Sequence, residues 1–148
     1  MSTTPTLNGQ VIGQAHYATR ALLERAVAPL GLSFGHVLAL NVLADGAVDP
    51  ARLVHRITST LKTDEQAVRE VIAHLVDADL ARVDDGVPEP QLRLTDAGHA
   101  TQRRVGATIA DTTTRLYGDI PTDEARVVAQ VLTLVTQRAN AELAALPA

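Results

Sequence analysis

The stretch DPARLVHRITSTLKTDEQAVREVIAHLVDADL, residues 49 to 80, decides the fold. Asp49 followed by Pro50 reads as an N-cap and a first-turn proline, opening a short helix that carries Leu53, Val54 and Ile57. Ser59 to Lys62 reads as a turn, and Thr63 or Asp64 caps a second helix. In that helix Val68, Val71, Ile72, Leu75 and Val76 fall at i, i+3, i+4, i+7 and i+8, which places them on one apolar face. The stretch is followed by two short β-like runs, Leu80 to Val83 and Gln91 to Leu94. Between them lies Asp84-Asp-Gly-Val-Pro-Glu-Pro90, dense in turn formers, which predicts a small hairpin. Helix, tight turn, second helix and hairpin is the layout of a winged helix-turn-helix, whose second helix enters the DNA major groove.

Outward from this centre, helices are expected on both sides. Gln10 to Ala28 spaces Val11, Ala15, Ala18, Leu22 and Ala26 at helical intervals, and Pro29 and Gly31 end the run. Ser33 caps a further helix with Val37, Leu38, Leu40 and Leu43, stopped at Asp45-Gly46. Beyond the hairpin, Thr95-Asp96 opens a long helix reaching roughly Tyr117. Thr122 then caps a last helix with Val128, Val131, Leu132, Val135, Ala139 and Leu143 along one side. The expected architecture is mainly α: one domain over residues 1–148, with the winged helix at about 33–95 and dimerisation helices at about 10–30 and 96–146. The apolar stripes of the terminal helices exceed what so small a core covers, so a homodimer is predicted.

Composition narrows the chemistry. The chain has 148 residues with 46% hydrophobic and 20% charged, and a formal net charge of −4. That is a globular composition without bulk attraction to polyanions. Tyr17, Phe34 and Tyr117 are too few rings for the stacking surfaces that read single strands or RNA. Cysteine is absent, which removes disulfides, thiolate metal sites and a Cys nucleophile. The polar start from Met1 to Gly9 lacks the pattern of a secretory signal and no apolar run approaches a membrane span, so a cytoplasmic setting is expected. The histidines His16, His36, His55, His74 and His99 are too far apart for a helical metal pair, so a metal site would have to be assembled in three dimensions. Ser2, Ser33 and Ser59 sit in no nucleophile elbow, and no phosphate loop or dinucleotide fingerprint occurs. No catalytic residue, cofactor or metal is predicted.

Three segments carry a family resemblance: Leu30-Gly-Leu-Ser-Phe34, Val71-Ile-Ala-His-Leu-Val-Asp-Ala-Asp-Leu80 and Leu92-Arg-Leu-Thr-Asp-Ala-Gly98. Over nearly its whole length the chain resembles the MarR family of bacterial winged-helix regulators. The third segment, a strand-end Leu-Thr followed by x-Ala-Gly at a helix start, is the most specific of the three. The resemblance implies a homodimer that binds a pseudo-palindromic operator and often releases it on binding a small, commonly aromatic or phenolic, effector.

On that template Thr63, Gln66 and Arg69 would read bases while Arg52, Arg56 and Lys62 sit on phosphates. The charge pattern departs from the family. From Lys62 to Gln91 three cations stand against eight carboxylates, and Asp84 to Pro90 holds no cation where the family's wing carries arginine. Arg52 and Arg56 read equally as solvated helix charges, and Arg69 as an intrahelical partner of Glu65 or of the neighbourhood of Glu70. For an effector, the resemblance points to a cleft walled by the first two helices, where His16, Tyr17, Arg20, Phe34 and His36 would suit a weakly acidic aromatic ligand. The same residues also read as ordinary core and junction groups. The alternative function is a winged-helix scaffold with weak or lost DNA binding, serving as a small-molecule-binding protein or a cofactorless acid–base enzyme through His16, Tyr17 and His36. A protein-interaction adaptor using the acidic wing is a third reading.

Overall fold

A computed structural model describes residues 4–86 and 88–147. Residues 1–3 of the polar start, Val87 in the turn segment and Ala148 lie outside the described residues. The order is α1 (Gly9–Val27), a 3-10 turn (Ala28–Leu30), α2 (Phe34–Ala44), α3 (Pro50–Leu61), α4 (Glu65–Asp77), β1 (Ala81–Asp84), β2 (Gln91–Leu94), α5 (Asp96–Tyr117) and α6 (Thr122–Ala145). This is a mainly α winged helix with a two-stranded antiparallel sheet, as the sequence predicts. Two compact units divide the chain, Met1–Ile109 and Ala110–Ala148. Among the described residues no single helix is long and apolar enough to cross a membrane.

In the first unit the core is aliphatic. Leu40 and Leu43 of α2, Leu53 and Ile57 of α3, Val68 and Leu75 of α4, and Leu92 and Leu94 of β2 are all buried. Each fully buried aliphatic side chain contributes about 1.5–3 kcal/mol relative to exposure. Capping fixes where the helices begin. Asp49 Oδ1 accepts from Ala51 N at 2.8 Å, and Asp64 Oδ1 from Ala67 N at 2.8 Å. At α2 the N-cap is Ser33, and the return bond of its capping box comes from His36, whose Nδ1 accepts from Ser33 N at 3.0 Å.

The turn between α3 and α4 is tighter than the sequence suggests. Ser59 to Leu61 stay helical, and the connection Lys62 to Asp64 opens with Lys62 in the left-handed conformation at φ 56. Its N–H donates to Thr58 O at 2.8 Å. A second left-handed residue, Asp79 with φ 61, ends α4 and starts the hairpin.

In the hairpin Ala81 pairs with Leu94, Arg82 with Arg93, Val83 with Leu92 and Asp84 with Gln91. Val48, just before α3, adds a bridge to Leu92 through paired bonds of 2.9 and 2.7 Å, a contact absent from the sequence reading. Thr95 locks the sheet to α5: its Oγ1 donates to Asp79 O at 2.6 Å and accepts from Gly98 N at 3.0 Å. Gly98 is obligatory here, because a Cβ at this position would run into the Leu80 carbonyl. The Thr-Asp-Ala-Gly segment therefore has a packing cause.

The second unit holds the end of α5 and all of α6. Pro121, rather than Thr122, occupies the N-cap position of α6, and Asp123 and Glu124 complement the helix dipole in the first turn. None of its residues from Thr122 to Ala145 is buried.

Candidate functional site

The six residues expected at DNA fall into two electrostatic classes. Arg52 and Arg56 lie one turn apart on exposed positions of α3, and among the described residues neither has a carboxylate within ion-pair reach. Lys62 is exposed at the turn, its Nζ donating to Ser59 O at 2.6 Å. Thr63 is half-buried beside it. The residues on α4 are already engaged within their own helix: Arg69 Nη2 lies 3.4 Å from Glu65 Oε2, and Gln66 Nε2 donates to Glu70 Oε1 at 3.4 Å. Both are long, exposed contacts of the kind that contribute little and exchange readily.

Two cations missed at the sequence level lie on the hairpin strands. Arg82 and Arg93 are register partners, hence on the same face. Asp84 lies between them, its carboxylate accepting from Arg93 Nε at 2.6 Å and meeting Arg82 Nε at 3.3 Å. All three remain substantially exposed. The signal was present in the sequence, since pairing LARV with QLRL in antiparallel register sets Arg82 opposite Arg93. Counting charge only as far as Gln91 excluded the second of them.

Of the five residues expected at an effector, four come together and the fifth faces elsewhere. His16, Tyr17, Arg20 and Phe34 make one stack. The His16 ring meets Tyr17 at 5.5 Å and the edge of Phe34 at 6.2 Å, while the Arg20 guanidinium lies 4.7 Å over the Phe34 ring. Arg20 Nε also donates to Glu24 at 2.7 Å. Tyr17, at the outer end, is 70% exposed. His36 turns instead toward α4, where its Nε2 meets His74 Nδ1 at 2.9 Å. Burial, and then the neighbouring His74, hold the His36 pKa below the usual imidazole value of 6.5.

Arg20 joins a different set. It lines a cavity of about 380 Å³ with Lys62, Thr63, Ile57, Leu61 and Val71. Two cations and a hydroxyl above aliphatic walls can hold an anionic head on an apolar body. Because Lys62 and Thr63 lie in the connection that precedes α4, the cavity abuts the helix-turn-helix itself.

No protein-family model matches the chain, and no curated protein matches it. Solved structures do. The oxidised form of MarR from E. coli aligns with a TM-score of 0.69 at 18% identity, covering 90% of this chain and 96% of that one. The Mycobacterium tuberculosis MarR family protein Rv2887, in complex with p-aminosalicylic acid, aligns at 0.67 with 20% identity, covering 88% and 99%. CouR from Rhodococcus jostii RHA1, bound to p-coumaroyl-CoA, aligns at 0.73 with 14% identity, covering 86% and 90%. The chain has the fold of the MarR-family regulators over nearly its full length.

Proposed function

We propose that this chain is a ligand-responsive, DNA-binding transcriptional regulator of the MarR type, acting in the cytoplasm as a homodimer on a pseudo-palindromic operator. The observation that carries the reading is the α3–Lys62–α4–hairpin unit, with Arg52, Arg56 and Lys62 presented without carboxylate partners among the described residues. These three sit on phosphates, with Arg82 and Arg93 joining them from the wing. Thr63, Gln66 and Arg69 face base edges once Arg69 exchanges Glu65 for the groove. Dimerisation is supported by α6, a 24-residue helix with no buried residue and Val128, Leu132, Val135 and Leu143 exposed. A second copy would remove that stripe from water.

Regulation follows from the cavity of Arg20, Lys62 and Thr63. A small aromatic acid bound there favours the arrangement of the α3–α4 turn that suits the ligand. Operator affinity then falls by the ligand's preference for that arrangement. The p-aminosalicylic acid and p-coumaroyl-CoA held by the two fold relatives are aromatic and acidic, in keeping with this chemistry.

Duplex DNA binding at low and then moderate salt tests the reading. Affinity should fall with salt. Arg52→Ala and Lys62→Ala should each weaken all sequences alike and reduce the salt slope by about 1, and Arg69→Ala should cost about 1–3 kcal/mol of selectivity. Absence of binding even at low salt would overturn the regulator and leave the small-molecule-binding scaffold, a reading favoured by the carboxylates of α4 that occupy Gln66 and Arg69.

A further inference from the structure

Two imidazoles 38 positions apart in the chain meet between α2 and α4. His36 Nε2 and His74 Nδ1 are 2.9 Å apart, with the rings edge to face at 71°. Glu70, one turn before His74, lines with them a cavity of about 280 Å³ that also includes Gly31 and Val71. We propose that His36, His74 and Glu70 form a site for a divalent transition metal ion of the Zn²⁺ or Ni²⁺ class, joining the N-terminal turn of α2 to α4. The site is independent of the DNA and effector readings.

Geometry supports it first. Two nitrogens at about 2.0–2.1 Å from one ion subtend about 90° when 2.9 Å apart, and a tetrahedral angle needs them only about 0.4 Å further apart. Two histidines and a glutamate, with a fourth position for water, are an established donor set for zinc, and imidazole also suits nickel and copper. Among the described residues no three ligating side chains already converge, and Glu70 accepts from Gln66. That contact is a single 3.4 Å bond on an exposed surface, so Glu70 can leave it, and the proposed site requires it to turn toward the two histidines.

Protons are accounted for in both states. Without an ion, His36 Nδ1 accepts from Ser33 N, so the ring proton is on Nε2 and is donated to His74 Nδ1. With an ion on Nε2 the proton moves to Nδ1, where Ser33 Oγ is 2.7 Å away as acceptor. Ligating imidazoles characteristically have such an outer partner. The backbone bond from Ser33 N is given up, which keeps affinity moderate. Glu70 is the one carboxylate lining the cavity and offsets part of the ion's charge.

The test uses the full chain, stripped of metal and free of DNA, so that its outcome is separate from that of the operator assay. Titration with ZnCl2 and NiCl2 by calorimetry and thermal unfolding should give one ion per chain and a Tm that rises with metal concentration. CoCl2 should give visible absorption bands. His74→Gln should weaken binding at least about tenfold, as should His36→Gln, which retains an acceptor for the capping box and so preserves the fold; Glu70→Gln should also weaken it. His55→Gln, exposed on α3, should bind as the parent does. No saturable binding over the titration, or undiminished binding by His74→Gln, would overturn the site.

Discussion

Helices α4 and α6 have the same kind of sequence and opposite surroundings. Both carry an apolar stripe at helical spacing. In α4 the stripe is satisfied within the chain: Val68 and Leu75 are buried, Val71 and Ile72 half-buried. In α6 only Val131 reaches even partial burial, and Val127 and Val128 are 56% exposed. Periodicity thus tells which face of a helix needs covering and is silent on what covers it. One chain leaves every α6 residue unburied, and the proposed second copy is what would cover the stripe.

The sharpest way to break this comparison is to shorten one leucine in each helix. Leu75→Ala should cost about 2–5 kcal/mol, with the same loss at every protein concentration, because the cavity it leaves lies inside one chain. Leu132→Ala should cost little at high concentration and progressively more on dilution, because its proposed partner is a second copy. Denaturant unfolding at two concentrations separates them. Equal concentration independence for both would remove the homodimer.

A smaller effect concerns the element that joins α4 to α3. Lys62→Gly should stabilise the isolated protein by about 1 kcal/mol, since glycine tolerates the left-handed turn that lysine adopts under strain. It should at the same time weaken DNA binding by removing a phosphate contact. Thermal unfolding and a binding titration on the same variant would show the two moving in opposite directions.

The smallest effect is the pH response of the α2–α4 contact. His36 titrates below 6.5 in the fold, so the folded state holds fewer protons than the unfolded chain between those values. Stability should be complete above pH 6.5 and decline as pH falls from there to the lower folded value. His36→Gln should flatten that decline, and core substitutions such as Leu75→Ala should leave its slope unchanged.

Most of the fold was legible because its signals are local. The Asp49-Pro50 start, the Ser33 and Asp64 caps and the stripe from Val68 to Val76 depend on neighbours within one helical turn or two. What escaped was long-range or depended on backbone geometry. Nothing near Val48 announces its bridge to Leu92, and nothing near Ser59 shows that helix continues to Leu61 before the left-handed Lys62. The candidate site divides in the same way. Arg52 and Arg56 are found by their spacing, whereas the cavity shared by Arg20, Lys62 and Thr63, and the meeting of His36 with His74, come from packing α1, α2 and α4 around the core. Spacing rules for histidine ligands see within a helix and not between two.

Asp84 has a consequence for how the wing would meet a polyanion. By bridging Arg82 and Arg93 it gives the hairpin an internal counter-ion, occupying the position a phosphate oxygen would take. DNA would then gain those arginines by exchange rather than by adding bare charge. Asp84 carries one negative charge against two arginines, so it withholds about 0.9, the share of one arginine, from the slope of log affinity on log salt. The wing of this protein would therefore respond to ionic strength as one bare charge rather than two, leaving Arg52, Arg56 and Lys62 to set most of the response to salt.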